Sequence, residues 1–206
     1  MGLGDPLVMN QAAILILAAG QSRRMRGADK MLELVEGEPL IRRQALRAFA
    51  TGVPVFVTLP DDRPLRMLAL QDLAIVTVTV RDAADGISRS IVAGNAAIPA
   101  NYGLLLWLAD LPEIETEDLN KVLHAANTAP NAVVRATTNV GKPGHPIFIP
   151  PTFRVELAGL TGDIGARVML RRHSPDTVFV PLLGNRALTD LDTPEEWSAW
   201  RANQTE

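Results

Sequence analysis

Four basic side chains lie close together just after a short apolar run. Arg23, Arg24, Arg26 and Lys30 follow the segment LAAG. Small residues let a ligand approach the backbone closely, and exposed backbone N–H groups there can bind an anion. The spacing matches neither a P-loop nor G-x-G-x-x-G. A basic run is often a solvated surface loop, but four cations after a buried strand favour a phosphate-binding loop with a polyanionic ligand.

Two acidic motifs could provide ligands for a divalent cation. Asp110 follows the apolar run GLLLWLA, and Asp190 and Asp192 lie in the segment DLDTPEE. Mg²⁺ takes one or two carboxylates together with phosphate oxygens and water. From the residues alone, Asp110 is equally compatible with a turn or a helix N-cap, and Asp192 with a helix start.

Glycine-containing motifs could position a ligand elsewhere. Gly86, Ser88 and Ser90 begin a predicted helix, where they could bind a ribose or a base edge, although a capped helix is the simpler interpretation. Gly144 and His145 lie in the segment GKPGHP, which we interpret as a rigid turn within a functional loop.

A third segment, LTGDIGAR, contains Asp163, Gly165 and Arg167. From the residues alone, this segment could equally well contact a ligand or have a structural role. Asp163 could cap the following helix, and Arg167 could form a surface ion pair.

Composition limits the classes of protein. The 206 residues include 47% hydrophobic and 21% charged residues, a net charge of −3 and no cysteine. The lack of cysteine excludes disulfides, thiolate metal sites and a cysteine nucleophile, and the acidic balance argues against non-specific nucleic-acid binding. No apolar run reaches the length of a membrane span, and the basic cluster follows the first apolar run, the reverse of an export signal. We therefore predict a cytoplasmic protein that binds neither membrane nor nucleic acid.

Short apolar runs alternate with amphipathic stretches, which predicts a Rossmann-like three-layer α/β/α sandwich with a mostly parallel sheet. Ligands bind such sheets beyond the carboxyl ends of the strands, where the strand order reverses, so the residues after the first and fourth strands are the expected site. The predicted strands are 12–18, 53–59, 74–80, 103–109, 132–136, 146–149 and 177–180. The predicted helices are 39–50, a short one ending at 70, 88–98, 117–127, 165–172 and 194–202.

The segment LAAGQSRRMRGADKMLELVEGEPLI resembles the signature of the MobA/MocA-like nucleotidyltransferases, L-A-[AG]-G-x-S-x-R-M-G-x-x-x-K-x-L followed by G-x-P-L. Ser22, Arg24 and Lys30 match in type and spacing, whereas Arg26 stands where the family usually has glycine. The segments ADLP, DLDTPEE and GISRS also resemble family motifs, and GHP and GDIGAR resemble those of the MocA branch. The resemblance covers nearly the whole chain and implies the nucleotide-diphospho-sugar transferase type of fold.

The resemblance implies a Mg²⁺-dependent enzyme that transfers a nucleoside monophosphate from an NTP to a phosphorylated acceptor and releases pyrophosphate. Lys30, Arg24 and Asp110 would be catalytic, and Asp110 and Asp192 would bind Mg²⁺, with Asp190 as a weaker candidate. The expected nucleotide-binding residues are Leu17, Ala18, Ala19, Gly20, Ser22, Arg24, Lys30, Gly86, Ser88 and Ser90. The expected acceptor-binding residues are Gly144, His145, Asp163, Gly165 and Arg167.

The segment LAAG is similar to that of the cytidylyl-transferring branch. Together with GHP and GDIGAR, this resemblance implies CTP as donor and a molybdopterin-type molybdenum cofactor as acceptor. Such a protein would pass its product to a molybdoenzyme of the xanthine dehydrogenase class. We expect one domain over residues 1–206, with a nucleotide-binding half (1–110) and an acceptor-binding half (111–206). The alternatives are a related pyrophosphorylase that uses GTP or another NTP, a non-catalytic cofactor carrier, and a glycosyltransferase, which would normally carry D-x-D after a central strand.

Overall fold

A computed structural model describes residues 11–162 and 165–204, so Asp163 lies outside the described residues. A seven-stranded sheet forms the centre of the molecule. Its strands are β1 (Ala12–Leu17), β4 (Val55–Pro60), β5 (Val76–Val80), β6 (Gly103–Leu108), β7 (Val134–Thr137), β8 (Pro143–Ile149) and β9 (Val178–Pro181). A separate hairpin consists of β2 (Leu34–Val35) and β3 (Glu38–Pro39).

The strand order is β5-β4-β1-β6-β8-β7-β9. Strand β8 runs antiparallel to both neighbours, and all other pairs in this sheet are parallel. The prediction of a mostly parallel sheet is confirmed. The chain adds β4 and β5 on one side of β1 and then crosses to place β6 on the other side. The carboxyl ends of β1 and β6 therefore flank the reversal in strand order, where a crevice is expected.

Helices cover both faces of the sheet. They are α1 (Leu40–Phe49), α2 (Pro64–Leu68), α3 (Ile87–Ala97), α4 (Thr116–Thr128), α5 (Arg167–Arg172) and α6 (Pro194–Gln204). Side chains of α1, α4 and α6 pack in one core with Ile14 and Ile16 of β1, whereas α3 and α5 share a second core with Ala13 and Leu15. Alternate residues of β1 thus serve opposite faces, as expected for a central strand buried on both sides. Within the described ranges, no helix is long and apolar enough to cross a membrane.

The interpretation of GKPGHP as a turn is wrong for its second half. Strand β8 begins at Pro143, so Gly144 and His145 lie inside the sheet, and the turn precedes them with Gly141 at φ +82°. Proline breaks sheet ladders, but the pairing of β7 with β8 is irregular between Arg135 and Thr137, beside the proline of the His-Pro pair. The shift in pairing accommodates Pro146, so β8 continues through a position where the sequence favours the end of a strand.

Candidate active site

A cleft of about 350 Å³ opens at the carboxyl ends of β1 and β6. We call it the first cleft. Its walls come from the loop after β1, the start of α3, the residue after β6 and the segment before α6. Among the predicted site residues, it is lined by Leu17, Ala18, Ala19, Gly20, Ser22, Arg24, Lys30, Gly86, Ser90, Asp110 and Asp192. Most of the predicted nucleotide and metal residues therefore meet in one place, although the sequence separates them widely.

Lys30 is at the centre of this cleft. Its Nζ donates to Asp110 Oδ2 at 2.5 Å and to Asp192 Oδ1 at 2.8 Å. Arg24 Nη2 reaches the other oxygen of Asp192 at 2.6 Å. Burial works to lower the pKa of Lys30, but the charge of Asp110 and the hydrogen bonds to both carboxylates outweigh it and raise that pKa. The ammonium is therefore charged at neutral pH and holds two distant carboxylates together.

Hydrogen bonds from α1 and from the segment before α6 hold the backbone around Asp110. Gln44 of α1 is fully buried, and its Nε2 donates to the carbonyls of Leu111 at 2.7 Å and Ala109 at 3.4 Å. The backbone N–H of Leu191 donates to the carbonyl of Asp110 at 3.3 Å. These bonds fix the approach of the two acidic segments. They leave Asp110 Oδ1 buried without a hydrogen-bond partner among the described residues.

Asp192 is positioned by the start of α6. The Glu196 carboxylate accepts from the backbone N–H groups of Asp192 and Thr193 at 2.8 and 2.9 Å, and the Thr193 hydroxyl accepts from the Glu196 N–H at 3.2 Å. This reciprocal pattern is a capping box. It agrees with the predicted capped helix start and leaves the Asp192 side chain free to face the cleft.

A buried ion pair supports the loop after β1. Arg66 of α2 is fully buried, and its Nε lies 2.8 Å from Asp29 Oδ2 while Nη1 donates to the Ala18 carbonyl at 2.5 Å. The Ser22 hydroxyl accepts from Arg66 Nη2 at 3.2 Å and from the Lys30 N–H at 3.3 Å. The sequence gives no sign of this arrangement, because Arg66 lies 37 positions after Asp29 in a short helix that carries no motif. Ser22 therefore has a structural role in addition to lining the cleft.

Acidic side chains from other segments of the protein partly neutralise the basic loop. Arg24 and Lys30 are paired with the two carboxylates, and Arg26 Nη2 contacts Glu195 Oε1 at 2.8 Å on the surface. Of the four cations, Arg23 has no acidic partner in the described part of the chain. The four cations therefore need an external anion less than the sequence indicates, and Lys30 between the two carboxylates is the stronger sign of a ligand site.

The start of α3 brings two of its three predicted residues to the first cleft. Gly86 and Ser90 line it, but Ser88 is fully buried, and its hydroxyl has no partner among the described residues. Residues two positions apart on a helix point in different directions. The structure therefore does not place Ser88 on the cleft wall.

A second cleft of about 540 Å³ shares Leu17, Ile87 and Leu108 with the first. It contains the predicted acceptor residues His145, Gly165 and Arg167, together with Arg135 of β7, which the sequence did not single out. Gly144 does not line it. A side chain at Gly144 would meet the Ala187 carbonyl at 2.0 Å, and the Gly144 carbonyl accepts from Arg135 Nε at 3.0 Å.

The His145 ring is neutral at physiological pH. The pKa of His145 is lowered to about 4, mainly by burial and to a smaller extent by the charge of Arg135, which together outweigh the opposing effects of the Leu106 carbonyl and Asp110. Nδ1 lies 3.4 Å from the Leu106 carbonyl, so Nδ1 is the protonated nitrogen and Nε2 remains an acceptor.

Two acidic side chains, rather than three, form the candidate metal site. No group of three or more histidine, cysteine or acidic side chains suited to a metal occurs within residues 11–162 and 165–204. Asp190 does not line the first cleft. Partial burial and then the negative charges of Asp110 and Asp192 raise the pKa of Asp190, so it lies near the pair without joining it.

Comparison with known proteins identifies the family of this chain. Residues 14–178 match the family described as the MobA-like NTP transferase domain. The chain belongs to this family. Its members are nucleotidyltransferases, and the protein is therefore an enzyme of that class.

Curated relatives of this MobA-like protein include two of nearly full length. A probable molybdenum cofactor guanylyltransferase of Natronomonas pharaonis is 27% identical, over 91% of this chain and 96% of the relative. A nicotine blue oxidoreductase of Paenarthrobacter nicotinovorans is 26% identical, over 88% of this chain and 92% of the relative.

Solved structures show the same fold. Rv0371c from Mycobacterium tuberculosis H37Rv superposes with a TM-score of 0.81 at 24% identity, covering 92% of this chain and 96% of that one. A structure of Rv0371C in complex with manganese gives a TM-score of 0.75 at 22% identity, covering 92% and 97% of the two chains.

Proposed function

We propose that this MobA-like protein transfers a nucleoside monophosphate from an NTP to the phosphate of an acceptor and releases pyrophosphate. The observation that carries the proposal is the contact of Lys30 Nζ with both Asp110 and Asp192, beside a loop rich in small and basic residues. This cleft combines cations for a triphosphate with two carboxylates for a divalent ion, at the sheet edge where nucleotides bind.

An oxygen of the acceptor phosphate attacks the α-phosphorus, and the bond from that phosphorus to the bridging oxygen of pyrophosphate breaks. Pyrophosphate leaves with the electron pair. The second pKa of a phosphate monoester is about 6, so the attacking group is already ionised at neutral pH and needs no general base. The protein must instead bring two anions together, and Lys30 and Arg24 would bind the leaving phosphates and offset their charge.

Asp110 and Asp192 would hold a divalent cation. Both contact one nitrogen atom, so they are close enough to share an ion, and the buried, unpartnered Oδ1 of Asp110 suits a metal ligand. The chemistry that Mg²⁺ would supply at these two carboxylates is neutralisation of the negative charge on the phosphates. The solved complex of Rv0371C with manganese supports a divalent cation for this fold. Lys30 then has to move from the carboxylates toward the phosphates.

We propose CTP as the donor and a molybdopterin-type cofactor as the acceptor. The segment LAAG supports CTP through its resemblance to the cytidylyl branch, and the second cleft, with His145 and Arg167, supports a large acceptor. GTP is the rival donor, because the relative from N. pharaonis is named a guanylyltransferase. A product of this kind would then pass to a molybdoenzyme of the xanthine dehydrogenase class.

Pyrophosphate release is the direct test. Purified protein is incubated anaerobically with molybdopterin-type cofactor, Mg²⁺ and CTP, GTP, ATP or UTP in parallel. We expect cofactor-dependent release with CTP at a rate at least about tenfold above the other nucleotides. Faster release with GTP would replace CTP and leave the reaction class intact. A protein that binds the cofactor but releases no pyrophosphate with any of the four would be a carrier, which contradicts the proposal.

A further inference from the structure

The second cleft has an unbalanced charge. Arg135, Arg167 and Arg171 line it, and His145 is neutral at physiological pH. None of the described residues that line this cleft is acidic. In a protein with a net charge of −3, a cleft that gathers arginines without a carboxylate is unusual.

Arg135 is held in place but keeps unused donors. Its Nε donates to the Gly144 carbonyl at 3.0 Å, whereas its two terminal nitrogens have no partner among the described residues. It is half-buried, and its pKa is lowered by burial and then by the charge of Arg167. A partly desolvated cation beside a second cation is unfavourable unless an anion joins them.

Arg167 is the second arginine of this pair in the cleft lining. It is the first residue of α5, and no ion pair or side-chain hydrogen bond of Arg167 occurs within the described ranges. By contrast, Arg172 on the same helix bonds Glu156 at 3.0 Å. A planar guanidinium with free N–H groups suits the oxygens of a phosphate.

The rest of the cleft wall is mostly apolar. Leu106, Ile147, Leu170 and Phe179 contribute to it. An anionic group bound by the two arginines would therefore carry an apolar or aromatic body that these side chains cover. The cleft also joins the first one at Leu17, Ile87 and Leu108.

We propose that Arg135 and Arg167 form a binding site for the phosphate of an aromatic or apolar phosphate monoester in the second cleft. That this monoester is the acceptor rests on the proposed function. In that role, the two arginines hold the attacking phosphate of the acceptor, while Lys30 and Arg24 hold the triphosphate of the nucleotide. Each of the two reacting anions is then bound by its own pair of cations.

Phenyl phosphate is the probe for this site. Its binding is measured by titration calorimetry, at constant ionic strength, to the wild type and to Arg135→Gln, Arg167→Gln, Lys30→Gln and Arg172→Gln. We expect Arg135→Gln and Arg167→Gln each to weaken binding at least about tenfold. Lys30→Gln and the matched control Arg172→Gln should stay within about twofold of the wild type.

Several outcomes would overturn the site. One is a loss of binding in Lys30→Gln but not in the two arginine variants, which would place the phosphate in the first cleft. Others are equal binding of benzyl alcohol, which would make the cleft merely apolar, and no binding at millimolar probe. Arg167 has no ion pair or side-chain hydrogen bond with another described residue, so we expect Arg167→Gln to disturb folding less than Arg135→Gln, which loses the bond to the Gly144 carbonyl.

Kinetics separate this inference from the proposed function. If nucleotidyl transfer is observed, Arg167→Gln should raise the KM for the acceptor at least about tenfold and leave the KM for the nucleotide unchanged. If no transfer occurs with any nucleotide, the proposed function fails, and the phenyl phosphate titration still decides whether the site exists.

Discussion

Asp110 is the residue at which the acidic and basic parts of the first cleft meet. We expect Asp110→Ala to reduce turnover at least about a hundredfold, because it removes the proposed metal ligand and a counter-charge of Lys30. The fold should persist, since the side chain is partly exposed and its neighbours Ala109 and Leu111 keep their bonds to Gln44. Steady-state rates and thermal melting test this, with Asp72→Ala on the distant surface as control. A rate close to wild type at normal Mg²⁺ dependence would remove Asp110 from the site.

A substitution at Gly20 can show whether this position requires glycine so that a ligand can approach the backbone, or because of the backbone conformation. A Cβ there would meet no protein atom within 4 Å, and its φ is not positive. We expect Gly20→Ala to change the free energy of unfolding by less than about 1 kcal/mol and to weaken nucleotide binding at least about tenfold. Gly159→Ala, which is equally unhindered but outside the first cleft, is the matched control for denaturation and nucleotide titration. Unchanged nucleotide affinity in Gly20→Ala would show that the ligand does not approach the backbone there.

His145 makes the stability of the fold depend on pH. Its pKa is about 4 in the folded protein and about 6.5 when unfolded. Between these values the unfolded chain binds a proton that the folded one does not, so stability falls as the pH drops from 6.5 to 4, by up to about 1.4 kcal/mol per pH unit. His145→Asn should flatten this part of the curve in urea denaturation across that range, compared with His124→Asn on the exposed part of α4. An identical slope in His145→Asn and wild type would contradict a neutral His145 ring in the folded protein.

At the scale of elements, the short helix α2 supports the loop after β1 through the side chain of Arg66. Arg66→Met would leave the Asp29 carboxylate without its buried partner and the Ala18 carbonyl without a donor. We expect a loss of about 3–5 kcal/mol in the free energy of unfolding. Nucleotide binding should weaken at least about tenfold even at temperatures where the variant is folded. Arg63→Met, an exposed change just before the same helix, is the control for denaturation and binding. A stable variant with normal affinity would show that the loop holds its shape unaided.

The sequence predicts most elements of the main sheet and its helices to within about two residues. Strands β1, β4 and β6 and helices α1, α3 and α4 occur where their apolar patterns indicate, and β5, β7, β9, α5 and α6 agree equally well. The sequence predicts strand β8 only from residue 146, because Pro143 and Gly144 are poor strand formers and their place in the sheet depends on the distant contact with Ala187. Tertiary contacts override local preference there.

The candidate site divides in the same way. Lys30, Asp110 and Asp192 stand out because a motif or a strand end marks them. Gln44, Arg66 and Arg135 do not. Gln44 and Arg66 bond groups far away in sequence, and Arg135 bonds the Gly144 carbonyl on the neighbouring strand, a pairing that no motif marks. Ser88 is the converse case: a motif marks it, but the structure buries its side chain in α3 instead of placing it on the cleft wall.

At the scale of the whole molecule, the first cleft unites residues from both ends of the described chain. A ligand that binds only this assembled cleft stabilises the fold by about 2.7 kcal/mol at 100 times its Kd, which corresponds to roughly 5–10 °C in Tm for a chain of this size. We expect a shift of this size with CTP and Mg²⁺, and less than half of it when EDTA replaces Mg²⁺. Thermal melting with each NTP tests this, with CMP as the control that lacks the leaving phosphates. Equal shifts with and without the metal would contradict a shared cation at Asp110 and Asp192.

Lys30 and Asp192 are 162 positions apart, yet they touch. During synthesis on the ribosome, the first loop emerges long before the segment that completes its surroundings. Until that segment has left the exit tunnel, the lysine has neither its second carboxylate nor the start of α6 beside it. A partly translated chain therefore cannot assemble the first cleft, because the second carboxylate that pairs with Lys30 belongs to a segment that is made 162 residues later.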